Sequence, residues 1–369
     1  MPASRKIAFL TNSVWNIVNY RMPLIQACRD QGFEPLILAP KDDFAGPIPA
    51  GWTCHYLKQL SPGGKNPLQD LRLFLEIWQA LRQYRPALVC SFTIKPNIYG
   101  SLAAAPLKIP CLPTITGLGY SFLQKGLLSR LTALLYRQAF RKTRQVVFQN
   151  KDDRRLFIEQ GLLRPEQTVL IPGSGVDTQH FYPDFPTSAA PCSFIYIGRL
   201  LWDKGLGEFV QAIRGLKRRY PNLRVHWLGA QDHNNPAVID SAQVEAWERE
   251  GLIHWLGPQA DVRPFIAAAD ALVLPSYREG LPRAVLEAMA MAKPVIVTDV
   301  PGCRELVDKK NGLLAPVKDP QGLEQVLQTF LELPESQRQE MGRTGRQLAE
   351  QQFDNQIIVR NYLSLIQSF

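Results

Sequence analysis

Ala271-Leu-Val-Leu-Pro-Ser276, then Glu279-Gly-Leu-Pro-Arg-Ala-Val-Leu-Glu287, then Ala288-Met289-Ala290-Met291 form an apolar run, a turn and a helix-forming run. The order reads as strand, loop, helix. Pro282 falls in the first helical turn, where a missing N–H costs nothing. The N–H groups of Gly280 and Leu281, together with the helix dipole, then face the carboxyl end of the strand, a place suited to a phosphate. Glu279 stands in the loop before that place. Glu287 stands one to two turns inside the helix, where its oxygens can accept hydrogen bonds from sugar hydroxyls. An anion cradle beside hydroxyl acceptors suggests a nucleotide-sugar site. Taken alone, the segment also allows a plainer reading, because a helical Glu is usually a solvated face residue and strand–Pro–helix joints are common in α/β proteins.

A second segment of the same kind changes the weight. Phe194-Ile-Tyr-Ile-Gly198-Arg199-Leu-Leu-Trp-Asp203-Lys204-Gly205 reads as a buried strand running into a basic loop, and an amphipathic helix follows. Arg199 and Lys204 bracket a tight loop at the strand's carboxyl end, where open parallel sheets bind ligands. Arg offers a planar fork and Lys a point charge, and the two can offset a diphosphate leaving group.

These residues resemble the retaining glycosyltransferases of family four, which have the GT-B fold. The resemblance runs through Gly198-Arg199, Asp203-Lys204-Gly205, Pro275-Ser276, Glu279-Gly280, Glu287-Ala288-Met289-Ala290, Pro294-Val295-Ile296, Asp299, Gly302, Glu305 and Asn311-Gly312-Leu313-Leu314. It covers about residues 190–350. One departure is Ala292-Lys-Pro, where the family usually has Gly in place of the Ala. The resemblance implies that Arg199 and Lys204 hold the donor diphosphate, that Glu279 lies near the transferred sugar and that Glu287 binds the ribose. It also implies two facing doubly wound, Rossmann-like α/β domains with a cleft between them.

Composition is consistent with two domains. The chain has 369 residues and 46% apolar content, enough for two cores. Six cysteines lie scattered, and five histidines show no ligand spacing, so neither disulfide framework nor zinc site is expected. No cofactor is expected either. The first residues turn polar too quickly for a signal peptide, and no apolar run reaches about 18 residues, so a cytoplasmic protein is expected. The net charge of +9 is unevenly spread. Residues 1–170 hold 22 Lys and Arg against 10 Asp and Glu, and residues 171–369 hold 20 against 23, giving +12 and −3. A basic first half suits an anionic partner such as a bilayer, a phosphorylated acceptor or nucleic acid.

Along the chain, Lys6-Ile-Ala-Phe-Leu10, Glu34-Pro-Leu-Ile-Leu38, Ala87-Leu-Val-Cys-Ser91 and Val146-Val-Phe-Gln149 read as buried strands, with helices at 66–84 and 126–143. Such alternation implies parallel sheets flanked by helices. It fades at Phe181-Tyr-Pro-Asp-Phe-Pro-Thr-Ser-Ala-Ala-Pro191 and restarts at 194. The expected organisation is a first domain at 1–182, a linker at 183–191 and a second domain at 192–350. By resemblance, a final helix at 351–369 returns to the first domain.

The first domain is expected to hold the acceptor. Thr11-Asn-Ser-Val-Trp-Asn16 follows the first strand where the family usually has a glycine-rich loop; here Asn12, Ser13 and Asn16 could supply side-chain donors instead. Thr116 and Gly117 form a second loop after a strand. No His accompanies them, so no catalytic His is expected. Ser91-Phe-Thr-Ile-Lys-Pro-Asn-Ile-Tyr-Gly100, Thr114-Ile-Thr-Gly-Leu-Gly-Tyr120 and Asn19-Tyr-Arg21 resemble a narrower group. Its members add hexosamine-type or related sugars to polyprenyl-diphosphate-linked acceptors in bacterial surface-glycan pathways. That resemblance puts Lys95 near the acceptor diphosphate; otherwise Lys95 is a solvated residue before a structural Pro96. In the stretch 125–144, Leu127, Leu131, Leu134, Leu135 and Phe140 recur at helical spacing among Lys125, Arg130, Arg137, Arg141, Lys142 and Arg144. This fits a helix lying on an anionic membrane and equally an ordinary core helix with a basic outer face; the +12 favours the membrane.

The expected reaction moves a sugar, an N-acetylhexosamine or related hexose, from a nucleotide diphosphate to an acceptor hydroxyl. By resemblance the nucleotide is UDP and the anomeric configuration is retained. The sequence holds no Asp-x-Asp, so no carboxylate-held metal is expected, and Arg199, Lys204 and the helix N-terminus meet the diphosphate charge. Same-face attack needs no enzyme nucleophile, which agrees with the lack of a carboxylate pair for double displacement. The expected partners are a UDP-sugar, a lipid-linked saccharide and the inner face of the cell membrane, with no nucleic acid. The alternatives are transfer to a soluble acceptor, a GT-B epimerase, or a non-catalytic basic module binding membrane or nucleic acid.

Overall fold

Two parallel sheets make up the computed structural model. It describes residues 5–369 apart from 43–47, 50, 62, 63, 65, 119–125, 184–191, 234 and 309, and the side chains of 127 and 128. The first sheet contains β1 (Lys6–Leu10), β2 (Glu34–Ala39), β3 (Thr53–Tyr56), β4 (Leu88–Phe92), β5 (Cys111–Ile115), β6 (Val146–Phe148) and β7 (Thr168–Leu170). Its order is β3-β2-β1-β4-β5-β6-β7, so the strand order reverses between β1 and β4. The second contains β8 (Ser193–Ile197), β9 (Arg224–Leu228), β10 (His254–Trp255), β11 (Ala271–Leu274), β12 (Val295–Thr298) and β13 (Gly312–Ala315). Its order is β10-β9-β8-β11-β12-β13, with the reversal between β8 and β11. Each sheet is doubly wound and Rossmann-like, which is the expected fold class.

Successive strand residues point to opposite faces, and the first sheet uses both. Ile7 and Phe9 of β1 pack in one core with Leu24, Ile25 and Cys28 of the Met22–Asp30 helix. Ala8 and Leu10 pack in another with Leu73, Ile77 and Leu81 of the Pro67–Tyr84 helix. Strands buried on both faces read as continuous apolar runs, which is why β1, β2, β4 and β6 are visible in the sequence. The edge strand β3 is only part-buried, and its Thr53-Cys-His-Tyr56 gives no such run.

The chain divides into one unit of residues Met1–Ser174 with Gln356–Phe369, and another of Gly175–Asn355. The division falls before the 183–191 stretch read as a linker, of which 184–191 lie outside the described residues. Backbone pairing accounts for the position: Val176 N–H donates to Phe353 O at 2.9 Å, and Asn355 N–H to Val176 O at 2.9 Å. Both chain passages are thereby fixed to the second unit at 176 and 353–355. The last helix, Asn355–Gln367, buries Ile358, Tyr362 and Ile366 in the first unit's core. Each such side chain contributes about 1.5–3 kcal/mol.

Candidate active site

In the second unit the two loops flanking the sheet reversal leave neighbouring strands, β8 and β11. The loop after β8 ends in a short 3-10 turn, Trp202–Lys204, and then Gly205 at φ +70°. A Cβ on Gly205 would overlap the carbonyl oxygen of Pro275, so glycine is what lets the two loops close together. Tyr277 completes the join: its N–H donates to Asp203 O at 3.0 Å and its hydroxyl to Glu208 Oε1 at 2.6 Å. From the far side, Gly302 at φ +83° brings the turn after β12 against the backbone of Glu279 and Gly280. Glu305 Oε2 holds that turn by accepting from Gly302 N–H at 2.8 Å.

This closure brings Lys204 and Glu279 into contact. Lys204 Nζ donates to Glu279 Oε1 at 2.5 Å, with side chains 18% and 15% exposed. Ser276, wholly buried, donates from Oγ to the same Oε1 at 2.6 Å. Thr298 Oγ1 in turn donates to Ser276 O. Both bonds fall on one oxygen of Glu279, so among the described residues its Oε2 has no protein partner. Lys204, at the end of a loop where an exposed cation would be unremarkable, is therefore ion-paired and mostly buried. Arg199 differs: it is 56% exposed and pairs with Asp232 at 2.9 Å. Gly198 precedes it, against the Tyr196 ring, whose hydroxyl donates to Arg199 O at 2.7 Å.

The helix after this loop is Arg283–Ala290, with Pro282 at the capping position, one residue earlier than expected. Its capping residue makes no side-chain hydrogen bond and its first turn holds no acidic residue. Gly280 and Leu281 precede the helix, and the Leu281 side chain joins the core. Glu287 lies one turn inside and forms an ion pair with Arg283, Oε1 to Nε at 2.8 Å. Burial pushes the Glu287 carboxyl above its ordinary pKa, and the Arg283 guanidinium pulls it part of the way back. Ser276 and Arg283 carried no role in the sequence reading. Their signal was present: Ser lies three residues before Glu279, and Arg at i−4 from Glu287 is a helical pairing distance.

The five acceptor-side candidates lie in the first unit. Ser13 Oγ accepts from Asn16 N–H at 3.0 Å and so caps a helical turn, while Asn16 Oδ1 is buried without a partner among the described residues. Lys95 is not solvated: its Nζ pairs with Asp70 of the Pro67–Tyr84 helix at 2.7 Å. Thr116 and Gly117, the latter at φ +131°, follow β5. Gly119, Tyr120 and Lys125 lie outside the described residues.

Residues 17–173 match the family model described as "Glycosyl transferase 4-like domain", and residues 191–332 match "Glycosyl transferases group 1". The chain belongs to the family-four glycosyltransferases. A Campylobacter jejuni relative, N,N'-diacetylbacillosaminyl-diphospho-undecaprenol alpha-1,3-N-acetylgalactosaminyltransferase, is 29% identical over 98% of both chains. An Escherichia coli relative, UDP-Gal:alpha-D-GlcNAc-diphosphoundecaprenol alpha-1,3-galactosyltransferase, is 24% identical over 68% of each. Among solved structures, sucrose-phosphate synthase from Thermosynechococcus elongatus superposes with TM-score 0.81 at 18% identity, covering 98% of both chains. Anabaena HepE in complex with UDP-glucose gives 0.76 at 21%, covering 99% of this chain and all of that one. At these identities the structural likeness establishes the GT-B fold of this glycosyltransferase.

Proposed function

We propose that this glycosyltransferase moves a sugar, an N-acetylhexosamine or related hexose, from a UDP-sugar to a polyprenyl-diphosphate-linked saccharide in bacterial surface-glycan or glycoprotein biosynthesis, with retention at the anomeric carbon. The observation that carries it is the shared oxygen of Glu279. Lys204 and Ser276 fix Oε1, which leaves Oε2 for a hydroxyl of the transferred sugar, beside an uncapped helix N-terminus suited to a phosphate. Lys204 can then turn to the diphosphate as it gathers charge, joined by Arg199, and Glu287 accepts from the ribose hydroxyls. The leaving phosphate oxygen takes the acceptor's proton on the same face, so no enzyme nucleophile is needed. The acceptor class is supported by the names of the two relatives above, and the uracil nucleotide by the donor named in one of them and the ligand bound to HepE.

A peripheral place on the inner membrane surface belongs to the same proposal. No described helix is long and apolar enough to cross a membrane. The Leu127–Phe140 helix turns Tyr136, Ala139 and Phe140 inward but leaves Leu131 and Leu134 52% and 60% exposed, between the exposed Arg130, Arg137 and Arg141. Outward leucines among cations suit an anionic bilayer better than a plain core helix does.

The test incubates purified protein with labelled UDP-sugars and a polyprenyl-diphosphate-linked saccharide, then extracts lipid into butanol. Label in the lipid phase is the expected result, unchanged by excess EDTA because Arg199, Lys204 and the helix N-terminus supply the positive charge. Absence of transfer with every donor overturns the reading. Loss with EDTA that magnesium or manganese restores overturns metal independence alone.

A further inference from the structure

Thr93 stands where no threonine is comfortable. It follows β4 and precedes the 11-residue Ile94–Ala104 helix, with φ 74° and ψ 169°. That region belongs almost wholly to glycine, and a β-branched residue is strained there. A threonine before a helix ordinarily caps it with its hydroxyl, yet Thr93 makes no such bond. Its Oγ1 is buried and has no hydrogen-bond partner among the described residues. One residue thus combines backbone strain with an unsatisfied polar atom, each destabilising on its own.

The surroundings hold this conformation in place. Asn97 N–H donates to Thr93 O at 3.0 Å. The Asn97 side chain accepts from Ser91 Oγ at 2.8 Å and donates to Thr114 O at 2.7 Å, both buried. Gly100 lets the helix lie so close to β1 that a Cβ there would stand 2.6 Å from Leu10 Cδ2. Asn97, one turn on from Thr93, is thus fixed by buried bonds to β4 and β5, which anchor the start of the helix.

Position supplies the second strand of the argument. The first sheet reverses its order between β1 and β4, and Leu10 and Ser91 are register partners across that pair. The segments that follow, Thr11 to Asn16 and Thr93 onward, therefore leave the same end of adjacent strands. Two more buried oxygens without partners among the described residues, Asn12 Oδ1 and Asn16 Oδ1, belong to the first of these segments. Three unsatisfied oxygens at a sheet's reversal point mark a place that a polar ligand completes.

We propose that Thr93 is an acceptor-binding residue of this glycosyltransferase, its hydroxyl donating a hydrogen bond to an oxygen of the lipid-linked saccharide, with the strained backbone aiming it. This rests on the transfer reaction proposed above and adds a residue to it. The oxygen belongs either to the acceptor's diphosphate or to its sugar, and the two acceptors in the test separate them.

The experiment compares Thr93→Ser, Thr93→Val and Thr93→Gly with the unaltered protein. It measures melting temperature, donor KM, and acceptor KM with the diphosphate-linked acceptor and with the same saccharide on a neutral alkyl chain. Thr93→Ser keeps the hydroxyl and is expected to keep acceptor KM within about twofold. Thr93→Val and Thr93→Gly lose the hydrogen bond and raise acceptor KM about five- to tenfold, with donor KM unchanged. Thr93→Gly is also expected to melt at a higher temperature, because the strain is released. A merely structural threonine would not give a more stable protein that binds acceptor less well. A loss on both acceptors places the oxygen on the sugar, and a loss confined to the diphosphate-linked one places it on the diphosphate. Unchanged acceptor KM in Thr93→Gly, which glycine's freedom allows to fold even where valine does not, overturns the proposal and leaves the transferase reading intact. Failure of the unaltered protein to transfer any sugar overturns both.

Discussion

Lys204 and Arg199 share one expected role, holding the donor diphosphate, but their surroundings separate them. Lys204 is mostly enclosed and bound to Glu279, whereas Arg199 is more than half exposed and bound to Asp232. Replacing either with Ala is expected to cost at least about tenfold in turnover, since each removes a charge-assisted bond of roughly 1.5–3 kcal/mol. Their effects on stability should diverge. Lys204→Ala leaves the Glu279 carboxylate part-buried with Ser276 as its remaining partner, a loss of about 1–3 kcal/mol. Arg199→Ala should stay within about 0.5 kcal/mol, as exposed pairs do. Initial rates and thermal melts of the two variants check both statements. Adding Glu279→Gln to Lys204→Ala should return part of the stability and none of the activity. Near-normal transfer by both single variants would remove the diphosphate clamp.

At the scale of elements, the Arg283–Ala290 helix ends in a Schellman motif. Lys293 N–H donates to Ala288 O and Ala292 N–H to Met289 O, both at 2.9 Å. That motif needs a left-handed residue, usually glycine, and Ala292 takes the role at φ 54°. The family's usual glycine at this place thus has a backbone cause. Ala292→Gly is expected to stabilise the second unit by about 0.5–1 kcal/mol, because relief of the left-handed strain outweighs the entropy glycine adds to the unfolded chain. A lower melting temperature would contradict this. The β9–β10 edge makes a pH prediction. His226 and His254 are register partners with ring centroids 5.9 Å apart. Burial, then the charges of His254 and Arg224, hold His226 below its ordinary pKa of 6.5. Above that value the ring is neutral both folded and unfolded. As pH falls through it, the unfolded chain takes up the proton first, and stability is lost down to the folded pKa. The second unit should therefore melt at lower temperature as pH drops from about 6.5 towards 5, and His226→Gln should flatten that slope.

For the whole molecule, the charge asymmetry follows the division into units, the basic half falling in the first. If that unit meets a lipid-linked acceptor, the protein should pellet with anionic liposomes. Rising salt should release it, because exposed charges are screened over about 8–10 Å. Arg144 contributes differently from its neighbours: it donates to Ser368 O at 2.5 Å and lies over the Phe369 ring, tying down the chain end. The informative replacement is therefore Arg130, Arg137 and Arg141 to Gln with Leu131 and Leu134 to Ser. It is expected to reduce liposome capture several-fold while leaving UDP binding, proposed for the second unit, unchanged. Capture that persists, or a free saccharide that serves equally well as acceptor, would dismiss the membrane reading and leave the transferase standing.

What the sequence determined by itself was the part written in local pattern. Buried parallel strands need apolar runs, so β1, β2, β4, β6, β8 and β11 were legible, and with them two doubly wound units. Motif spacing around Lys204, Glu279 and Glu287 marked the loops after β8 and β11, because Gly205 permits a close left-handed turn and Pro282 suits a helix start. Tertiary structure decided the rest. Whether Lys204 is exposed or held by Glu279 depends on Gly205 passing beneath Pro275, a contact across 70 residues. Whether Lys95 is solvated depends on Asp70 in another helix. The strain at Thr93 left no trace in composition, since threonine is an ordinary residue before a helix. Its positive φ appears only in the folded chain, because a backbone angle is set by what packs around a residue as well as by the residue itself.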